Sequence, residues 1–390
     1  MTSKKSSHIN LKNAWRWPVG LLRDYWNRGW WQKLLTIGFM TFAVCLAIMY
    51  GIAQWYIWSE RNKPMELGVS FIPAYAESLG VDPEDTLTAL TDDVGVRNFR
   101  LVSYWDQIEL QPHTYDFTSL DWQFRKIESV DGQVTLSLGL RQPRWPECHM
   151  PDWARSRPPE AWKPLLEDFM TQVVNRYKDS PALKSYQVEN EFFLKGFGIC
   201  EGIPGALDRS RLINEYDLVK KLDPKHTAIV NRSNNALGWP VGDPQPNEFG
   251  ISIYKRVWDA KLTHRYLEYP FPAWYYGFVA GWQKIFTGKD MIIHELQAES
   301  WGPNGKHLND ISVEEANKSF DAERLTGRVK FAEGTGMKEV YLWGAEYWYY
   351  REKVQPDPSL MDAAKEAFQQ SYYKQSGCTI PDSHDVQICE

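Results

Sequence analysis

Two short stretches decide the fold of this chain of 390 residues: Ser185-Tyr-Gln-Val-Glu-Asn-Glu191 and Met291-Ile-Ile-His-Glu295. Each stretch is a β-like run that ends in a glutamate. In an eight-stranded β/α barrel the carboxyl ends of all the strands meet at one mouth, where catalytic groups collect. The two stretches therefore predict a barrel that holds a pair of carboxyl groups, Glu191 and Glu295, at its mouth.

The rest of the chain has the pattern that such a barrel needs. Short β-rich runs alternate with longer amphipathic stretches, which is typical of β/α units around a parallel sheet. The eight predicted strands are 67–71, 98–103, 134–140, 185–189, 227–231, 250–254, 291–295 and 339–343. Residues 66–375 are therefore predicted to form one (β/α)8 TIM barrel. The competing topology, an open doubly wound sheet, normally has a glycine-rich phosphate turn after its first strand, and this sequence has none.

The segment 34–58 contains no charged residue and is long enough to cross a bilayer as one helix. Residues 1–33 carry seven basic side chains against one acid, a bias that keeps such a segment in the cytoplasm. We therefore expect a basic cytoplasmic tail (1–33), a transmembrane signal anchor (34–58), a linker (59–65) and an extracytoplasmic barrel at the cell membrane. A cleaved signal peptide is the competing interpretation.

Charge and aromatic content limit the partners. The chain carries a formal charge of −6, and because residues 1–33 contribute +6, the remainder carries −12. An acidic outer part argues against nucleic acid as a partner, since phosphate binding needs clustered positive charge. The 19 Trp and 20 Tyr exceed what a core needs. Rings that stack on sugars and rings that anchor a membrane interface are both consistent with this excess.

The five cysteines indicate disulfides. Cys45 falls in the predicted membrane span, and the other four, in an oxidising compartment, allow two disulfides with three connectivities. We favour Cys148–Cys200, whose loops follow neighbouring predicted strands, and Cys378–Cys389, which would staple a C-terminal tail (376–390). A zinc site is the weaker alternative, because the sequence has no Cys-x-x-Cys spacing.

The two glutamates and their flanking residues resemble clan A of the glycoside hydrolases, retaining barrel enzymes that include cellulases, β-galactosidases and β-xylosidases. In that clan an Asn-Glu pair ends strand four and a second glutamate ends strand seven, as Asn190-Glu191 and Glu295 do here. The resemblance implies that Glu191 is the general acid/base and Glu295 the nucleophile of a double displacement. It also implies that Asn190 hydrogen-bonds the sugar 2-hydroxyl.

Three further residues match landmarks of the clan. Arg100 occupies the strand-two position that contacts the nucleophile, Tyr254 the strand-six position that hydrogen-bonds it, and Trp343 the strand-eight position that floors the central sugar subsite. Two departures, Phe192 in place of a proline and Ser252 in place of a histidine, leave the individual family and the sugar open.

Other side chains that follow predicted strand ends are candidates for sugar binding: Trp105, Trp145, Gln297 and Trp301. For each of them, ordinary packing or solvation is the alternative. The aromatic insertion 257–289 is either a substrate lid or a segment that folds toward the lipid surface, and the sequence does not choose between them.

No metal or other cofactor is expected. Metal-dependent barrels usually have His-x-His after strand one, where this chain has Gly68-Val-Ser-Phe-Ile-Pro, and no Gly-x-Ser-x-Gly marks a serine nucleophile. The sequence thus predicts a membrane-anchored retaining O-glycoside hydrolase that acts on β-linked oligo- or polysaccharide. The alternatives are a non-catalytic carbohydrate-binding protein on the same barrel and a transglycosylase, in which a sugar acceptor replaces water.

Overall fold

The computed structural model describes Gly20 and residues 25–27, 29–233 and 242–375. Its strands are β1 Glu66–Ser70, β2 Asn98–Val102, β3 Gln133–Leu138, β4 Leu183–Val188, β5 Thr227–Ser233, β6 Glu248–Ile253, β7 Arg256–Asp259, β8 Arg265–Glu268, β9 Met291–Gln297 and β10 Glu339–Trp343. Eight of these strands are parallel and close into a barrel in the order β1-β10-β9-β6-β5-β4-β3-β2. The prediction of an eight-stranded β/α barrel is confirmed.

The observed strand bounds differ slightly from the predicted ones, and two differences affect the mouth. Strand β4 ends at Val188, so that Glu191 lies in the turn that follows it. Strand β9 continues past Glu295 because Gln297 still pairs with Trp343 of β10.

Helices cover the outside of the barrel. The α-helices are α1 Trp30–Glu60, α2 Pro73–Leu79, α3 Pro83–Thr88, α4 Trp105–Ile108, α5 Thr118–Glu128, α6 Asp152–Arg155, α7 Pro159–Tyr177, α8 Arg209–Leu222, α9 Ala273–Thr287, α10 Val313–Asn317, α11 Ala322–Glu333, α12 Ala345–Lys353 and α13 Ser359–Gln375. A π-helical turn (Ala89–Asp93) follows α3, and the loops contain 3-10 turns at Cys200–Gly202, Pro303–Gly305 and Leu308–Asp310.

Helix α7 shows how the helical layer packs on the barrel. Its apolar side chains recur at helical spacing, and Trp162, Leu166, Phe169 and Val173 are all buried. Parallel strands covered on both faces are apolar along most of their length. Charged side chains near strand ends are therefore exceptions, and they identify the mouth of this barrel.

The insertion after β6 divides into two parts. Strands β7 and β8 form an antiparallel hairpin, and α9 follows it. Helix α9 packs against the end of α1, where a side chain added at Gly281 would meet Ile52 and Tyr56. The second half of the insertion therefore lies beside α1.

Helix α1 is long and apolar enough to cross a membrane, by its length and composition. It includes the whole of the predicted span 34–58. Most of its side chains are exposed, whereas Ala53, Tyr56 and Glu60 near its end are buried. The helix thus has a long apolar part that is exposed and a final part that packs on the barrel domain.

A disulfide joins Cys148 to Cys200, whose Cα atoms are 5.2 Å apart. It links the segments that follow β3 and β4, which confirms the predicted pair. The other predicted pair, Cys378–Cys389, and most of the predicted cytoplasmic tail lie outside the described residues.

Candidate active site

Glu191 lies in a turn whose backbone is unusual. The φ angles of Glu189 and Glu191 are 61° and 43°, in the left-handed region that residues with a side chain rarely adopt. The Glu191 N–H donates to Asn231 Oδ1 at 2.7 Å, and this hydrogen bond ties the turn to β5. The neighbouring strand therefore holds a backbone conformation that points the Glu191 carboxyl into the mouth.

Glu189, two residues before Glu191, holds neighbouring segments of the barrel together. Its buried carboxylate accepts hydrogen bonds from the N–H groups of Leu140 and Arg141 and pairs with Arg211 at 2.7 Å. These contacts tie the segment after β3 to α8 and fix the turn that carries Glu191. Of the two glutamates in this motif, only Glu191 lines the cleft.

Glu295, on β9, is held by two donors. Arg100 Nη1 donates to Glu295 Oε1 at 2.8 Å, and the Tyr254 hydroxyl donates to Glu295 Oε2 at 2.7 Å. The side chains of Arg100 and Glu295 are almost entirely shielded from solvent. A positive charge and a hydrogen bond both favour the ionised form of a carboxyl group. The site is therefore suited to a carboxylate at Glu295.

Arg100 also organises the residues around Glu191. Its Nε donates to Gln187 Oε1 at 2.6 Å, and its Nη2 donates to Asn190 Oδ1 at 2.9 Å. Asn190 Oδ1 accepts two further hydrogen bonds, from Gln187 and Asn231. One guanidinium thus connects β2, β4 and β9 at the floor of the mouth and fixes the orientation of Asn190.

The Glu191 carboxyl has a contrasting environment. Burial raises its pKa to about 8, and the nearby charges of Glu295 and Glu147 add to the effect. Its Oε1 is buried and has no hydrogen-bond partner within the described parts of the chain. Glu191 is therefore suited to carry a proton at neutral pH.

Glu191 and Glu295 share a cleft of about 230 Å³ at the barrel mouth. The cleft is lined by Arg144, Trp145, Glu147, Glu191, Leu194, Phe197, Ser233, Tyr254, Glu295, Glu299, Trp301 and Trp343. The predicted aromatic residues Trp145, Trp301 and Trp343 thus lie in the cleft with both carboxyl groups. Trp145 is 65% exposed at the rim, and the Trp301 ring packs edge-on against Tyr254 with 6.0 Å between centroids.

Two predicted binding residues do not reach the cleft. Trp105 is fully buried against Trp153 and Phe169, and its indole N–H donates to Glu109. Gln297 is buried too, and its side-chain amide hydrogen-bonds the backbone at the start of the β7–β8 hairpin. In the structure both residues support loops. Their closeness to a strand end in the sequence did not reveal which way each side chain points.

Glu147 is a cleft residue that the sequence analysis did not single out. It is 4% exposed, its Oε2 accepts a long hydrogen bond (3.4 Å) from Asn190, and it pairs with Arg141 at 3.5 Å. Burial raises the pKa of Glu147 to about 7, although Arg141 opposes the shift. The sequence feature that could have identified Glu147 is its place near Trp145, in the polar, proline-containing segment after β3.

Arg144 and Glu299 form a second unpredicted pair at the cleft. The Arg144 guanidinium lies over the rings of Tyr75 and Trp343, 3.2 Å and 4.6 Å from their centroids, and pairs with Glu299 at 3.3 Å. Tyr75 donates to Glu299 at 2.6 Å. Arg144 therefore covers one face of the Trp343 ring, and its charge is balanced by Glu299.

His294, next to Glu295 in the sequence, is fully buried on β9. Burial, with a further contribution from Arg100, holds its pKa well below the usual range, so that the ring is neutral. Among the described residues no cluster of three or more His, Cys, Asp or Glu side chains has the arrangement of a metal site.

No protein-family model and no curated protein matches the chain. The fold is similar to solved glycoside hydrolases. A β-galactosidase from Bacillus circulans sp. alkalophilus superposes with a TM-score of 0.52 at 12% identity, over 79% of this chain and 56% of that one. An endo-β-1,4-xylanase from Gloeophyllum trabeum gives 0.51 at 15% identity, over 79% of this chain and 97% of that one.

A β-galactosidase from the Antarctic haloarchaeon Halorubrum lacusprofundi gives a TM-score of 0.50 at 14% identity, over 82% of this chain and 59% of that one. The chain thus spans less than two thirds of the length of these two β-galactosidases and nearly all of the xylanase. At such identities the likeness concerns the fold. This chain has the (β/α)8 barrel fold of these glycoside hydrolases.

Proposed function

We propose that this protein is a retaining O-glycoside hydrolase of clan A that cleaves β-linked oligo- or polysaccharide. In this proposal Glu191 is the general acid/base and Glu295 the nucleophile. The observation that carries it is the unequal environment of two carboxyl groups in one cleft. Glu295 accepts from Arg100 and Tyr254, whereas burial raises the pKa of Glu191 to about 8. A protonated acid beside an ionised nucleophile is the starting state of the retaining mechanism.

In the first step the Glu295 carboxylate attacks the anomeric carbon while the bond from that carbon to the leaving oxygen breaks. Glu191 gives its proton to the leaving oxygen, so that the leaving group departs as a neutral alcohol. Arg100 and Tyr254 keep Glu295 ionised and oriented for this attack. The product is a glycosyl ester on Glu295.

In the second step Glu191, now ionised, takes a proton from water. The water oxygen attacks the anomeric carbon and displaces the Glu295 carboxylate, so that the sugar leaves with its original configuration. Asn190, which Arg100 holds beside Glu191, is assigned to the sugar 2-hydroxyl. Both carboxyl groups end the cycle in their starting protonation states.

Sugar binding is assigned to the aromatic surface of the cleft. Trp145 at the rim and Trp301 beside Tyr254 offer rings to sugar faces. Trp343 floors the cleft, and the Arg144 guanidinium covers one side of its ring. A sugar therefore either uses the open side of Trp343 or displaces Arg144.

The proposal includes attachment to the cell membrane, with residues 1–33 in the cytoplasm and the barrel outside. Helix α1 has the length and apolarity of a membrane span, and the Cys148–Cys200 disulfide suits an oxidising compartment. Ala53, Tyr56 and Glu60 at the end of α1 are buried against the barrel. A helix whose end is packed in this way favours a retained anchor over a cleaved signal peptide.

The test uses the full chain in detergent, because the end of α1 packs on the barrel. Glu295→Ala and Glu191→Ala are assayed on aryl β-glycosides with and without azide. We expect azide to restore Glu295→Ala with a glycosyl azide of inverted configuration, and Glu191→Ala with one of retained configuration. Catalytic carboxyl groups contribute factors of about 10² to 10⁴ or more, so that both losses should be large.

The neighbouring Glu189→Gln is the structural comparison: its carboxylate fixes the turn that carries Glu191, so its loss should lower stability, and azide should not restore any activity that is lost. Wild-type protein that binds oligosaccharides without cleaving them would replace the proposal with the carbohydrate-binding alternative. Product sugars joined to added acceptors in preference to water would identify a transglycosylase.

A further inference from the structure

Helix α9 (Ala273–Thr287) presents an apolar face to solvent on the outside of the barrel. Trp282, Ile285 and Phe286 are 38%, 52% and 65% exposed. Phe278, Trp282 and Phe286 form a row of ring contacts, with centroids 5.9 Å and 4.4 Å apart. A contiguous aromatic patch of this kind indicates an interaction surface, whereas apolar residues exposed singly do not.

This face lies directly beside α1. Gly277 and Gly281, four residues apart, lie against α1, because added side chains would meet Ile57 at Gly277 and Ile52 and Tyr56 at Gly281. Small residues at this spacing allow the close approach of helices that is common in membrane proteins. The two helices therefore form one unit, and the exposed face of α9 continues the surface of α1.

The surface that the two helices share is apolar. Trp55 and Trp58 of α1 are 44% and 61% exposed, and they lie in the stretch of α1 from Tyr50 to Glu60 that contacts α9. Lys284 is the only charged residue in the α9 sequence, and it pairs with Glu60 at 2.5 Å and Asp290 at 2.7 Å. No unpaired charge on α9 thus opposes contact with lipid.

The length of α9 indicates how deeply it sits. Fifteen residues form a helix of about 22 Å, too short to cross a hydrocarbon core of about 30 Å. Exposed Trp on both helices is typical of the membrane interface. An interfacial position suits this combination of length and composition.

We propose that the face of α9 formed by Phe278, Trp282, Ile285 and Phe286 inserts into the outer interface of the bilayer beside α1. The proposal rests on α1 as a membrane anchor, and it adds a second contact that fixes the orientation of the barrel. That contact lies where the strands begin, since Lys284 pairs with Asp290, the residue before β9. The cleft is at the opposite end of the barrel and faces away from the membrane contact.

The experiment places an environment-sensitive fluorophore on single cysteines in the full chain, reconstituted in phosphatidylcholine vesicles. Cys45, Cys378 and Cys389 are changed to Ser, and the Cys148–Cys200 disulfide is kept. The labelled variants are Ile285→Cys and Phe286→Cys on α9, Phe39→Cys in the exposed apolar part of α1, and Leu110→Cys after β2 on the cleft side. Quenching is measured with brominated acyl chains in the lipid and with iodide in the water.

We expect lipid bromine to reduce the fluorescence at positions 285 and 286 at least about twofold, because an interfacial helix lies within reach of the acyl chains. Iodide should quench these positions much less than position 110. Strong iodide quenching at 285 and 286, together with lipid quenching at 39, would overturn the α9 contact while the anchor stands. Absence of lipid quenching at 39 as well would overturn the anchor and the α9 contact together.

A second copy of this chain is the competing occupant of the face. In that case positions 285 and 286 would be shielded from both quenchers, and a donor and an acceptor fluorophore on separate copies would show energy transfer. That result would overturn the lipid contact in favour of a dimer. Equal lipid quenching at high and low protein-to-lipid ratio, without energy transfer, is the result that the proposal requires.

Discussion

The turn after β4 and the end of β9 each present one glutamate to the same cleft, but they hold it differently. Glu295 lies within β9, where the strand shifts register against β6, and it has a donor on each carboxylate oxygen, Arg100 on one and Tyr254 on the other. Glu191 stands on a left-handed turn, and within the described chain its buried Oε1 has no donor. The strand ends give the two side chains a common location, and their neighbours give them different hydrogen-bonding environments.

The difference between the environments of Glu295 and Glu191 depends on the side chain of Arg100. Arg100 starts on β2, on the far side of β1 and β10 from β9, and its guanidinium crosses the mouth to reach Glu295. It contacts the Asn190 amide and not the Glu191 carboxyl. Arg100 therefore neutralises one glutamate and leaves the other subject to burial and to the charge of its neighbours.

Removing this guanidinium should have the largest effect. Arg100→Gln leaves Glu295 buried without a positive partner, which costs about 3–5 kcal/mol when one member of a buried pair is lost. We expect the free energy of unfolding in detergent, measured by denaturant titration, to fall by that order, and hydrolysis to be abolished.

The double variant Arg100→Gln/Glu295→Gln tests the cause of that loss. It has no carboxylate at position 295 to leave unpaired, so that most of the lost stability should return while activity stays absent. A double variant as unstable as Arg100→Gln would mean that Arg100 stabilises the barrel through Gln187 and Asn190 instead.

The features of the cleft that depend on strand position could be predicted from the sequence. Parallel strands in a barrel end at one mouth, so that Glu191 and Glu295 had to approach each other once the eight strands were recognised. The roles of Arg100, on β2, and of Tyr254, directly after β6, followed from the resemblance to clan A. No pattern in the sequence could show that Trp105 is turned inward by its contacts with Glu109 and Phe169.

The loop residues of the cleft could not be predicted in this way. Glu147 and Arg144 lie in a segment without periodicity, and Arg144 meets Glu299 only because the loops after β3 and β9 converge. The packing of α1 on α9 could not be predicted from the sequence either. Gly277 and Gly281 are visible in the sequence, but a pair of glycines indicates a contact only when the helix that covers them is known.

A smaller effect is expected from the hydroxyl that supports Glu295. Tyr254→Phe removes one hydrogen bond to a charged group, worth about 1.5–3 kcal/mol, and leaves Arg100 in place. We expect kcat/KM to fall by about 10- to 100-fold on aryl β-glycosides, and the loss of stability to stay within about 1.5–3 kcal/mol, below that of Arg100→Gln.

Tyr75→Phe is the matched control, since its hydroxyl donates to Glu299 at 2.6 Å and not to Glu295. It should leave kcat for a small aryl glycoside nearly unchanged. Equal losses in kcat for the two variants would show that the Tyr254 hydroxyl has no special part in holding the nucleophile.

The smallest effect is a displacement of the pH profile by Glu147→Gln. Glu191 must be protonated to act as an acid, so that activity declines as pH rises through its pKa, which burial and neighbouring charges raise to about 8. The negative charge of Glu147 opposes ionisation of Glu191, and its removal therefore lowers the Glu191 pKa. The basic limb of kcat/KM should move to lower pH by roughly half a unit to one unit.

Glu299→Gln separates this electrostatic effect from a general disturbance of the cleft. Glu299 lines the same cleft, but its charge is balanced by Arg144, and it is not among the main causes of the raised pKa of Glu191. The basic limb of the pH profile of Glu299→Gln should coincide with that of the wild type, even if KM changes. If Glu147→Gln also leaves the limb in place, the limb reports a group other than Glu191, and the assignment of Glu191 as the acid fails with it.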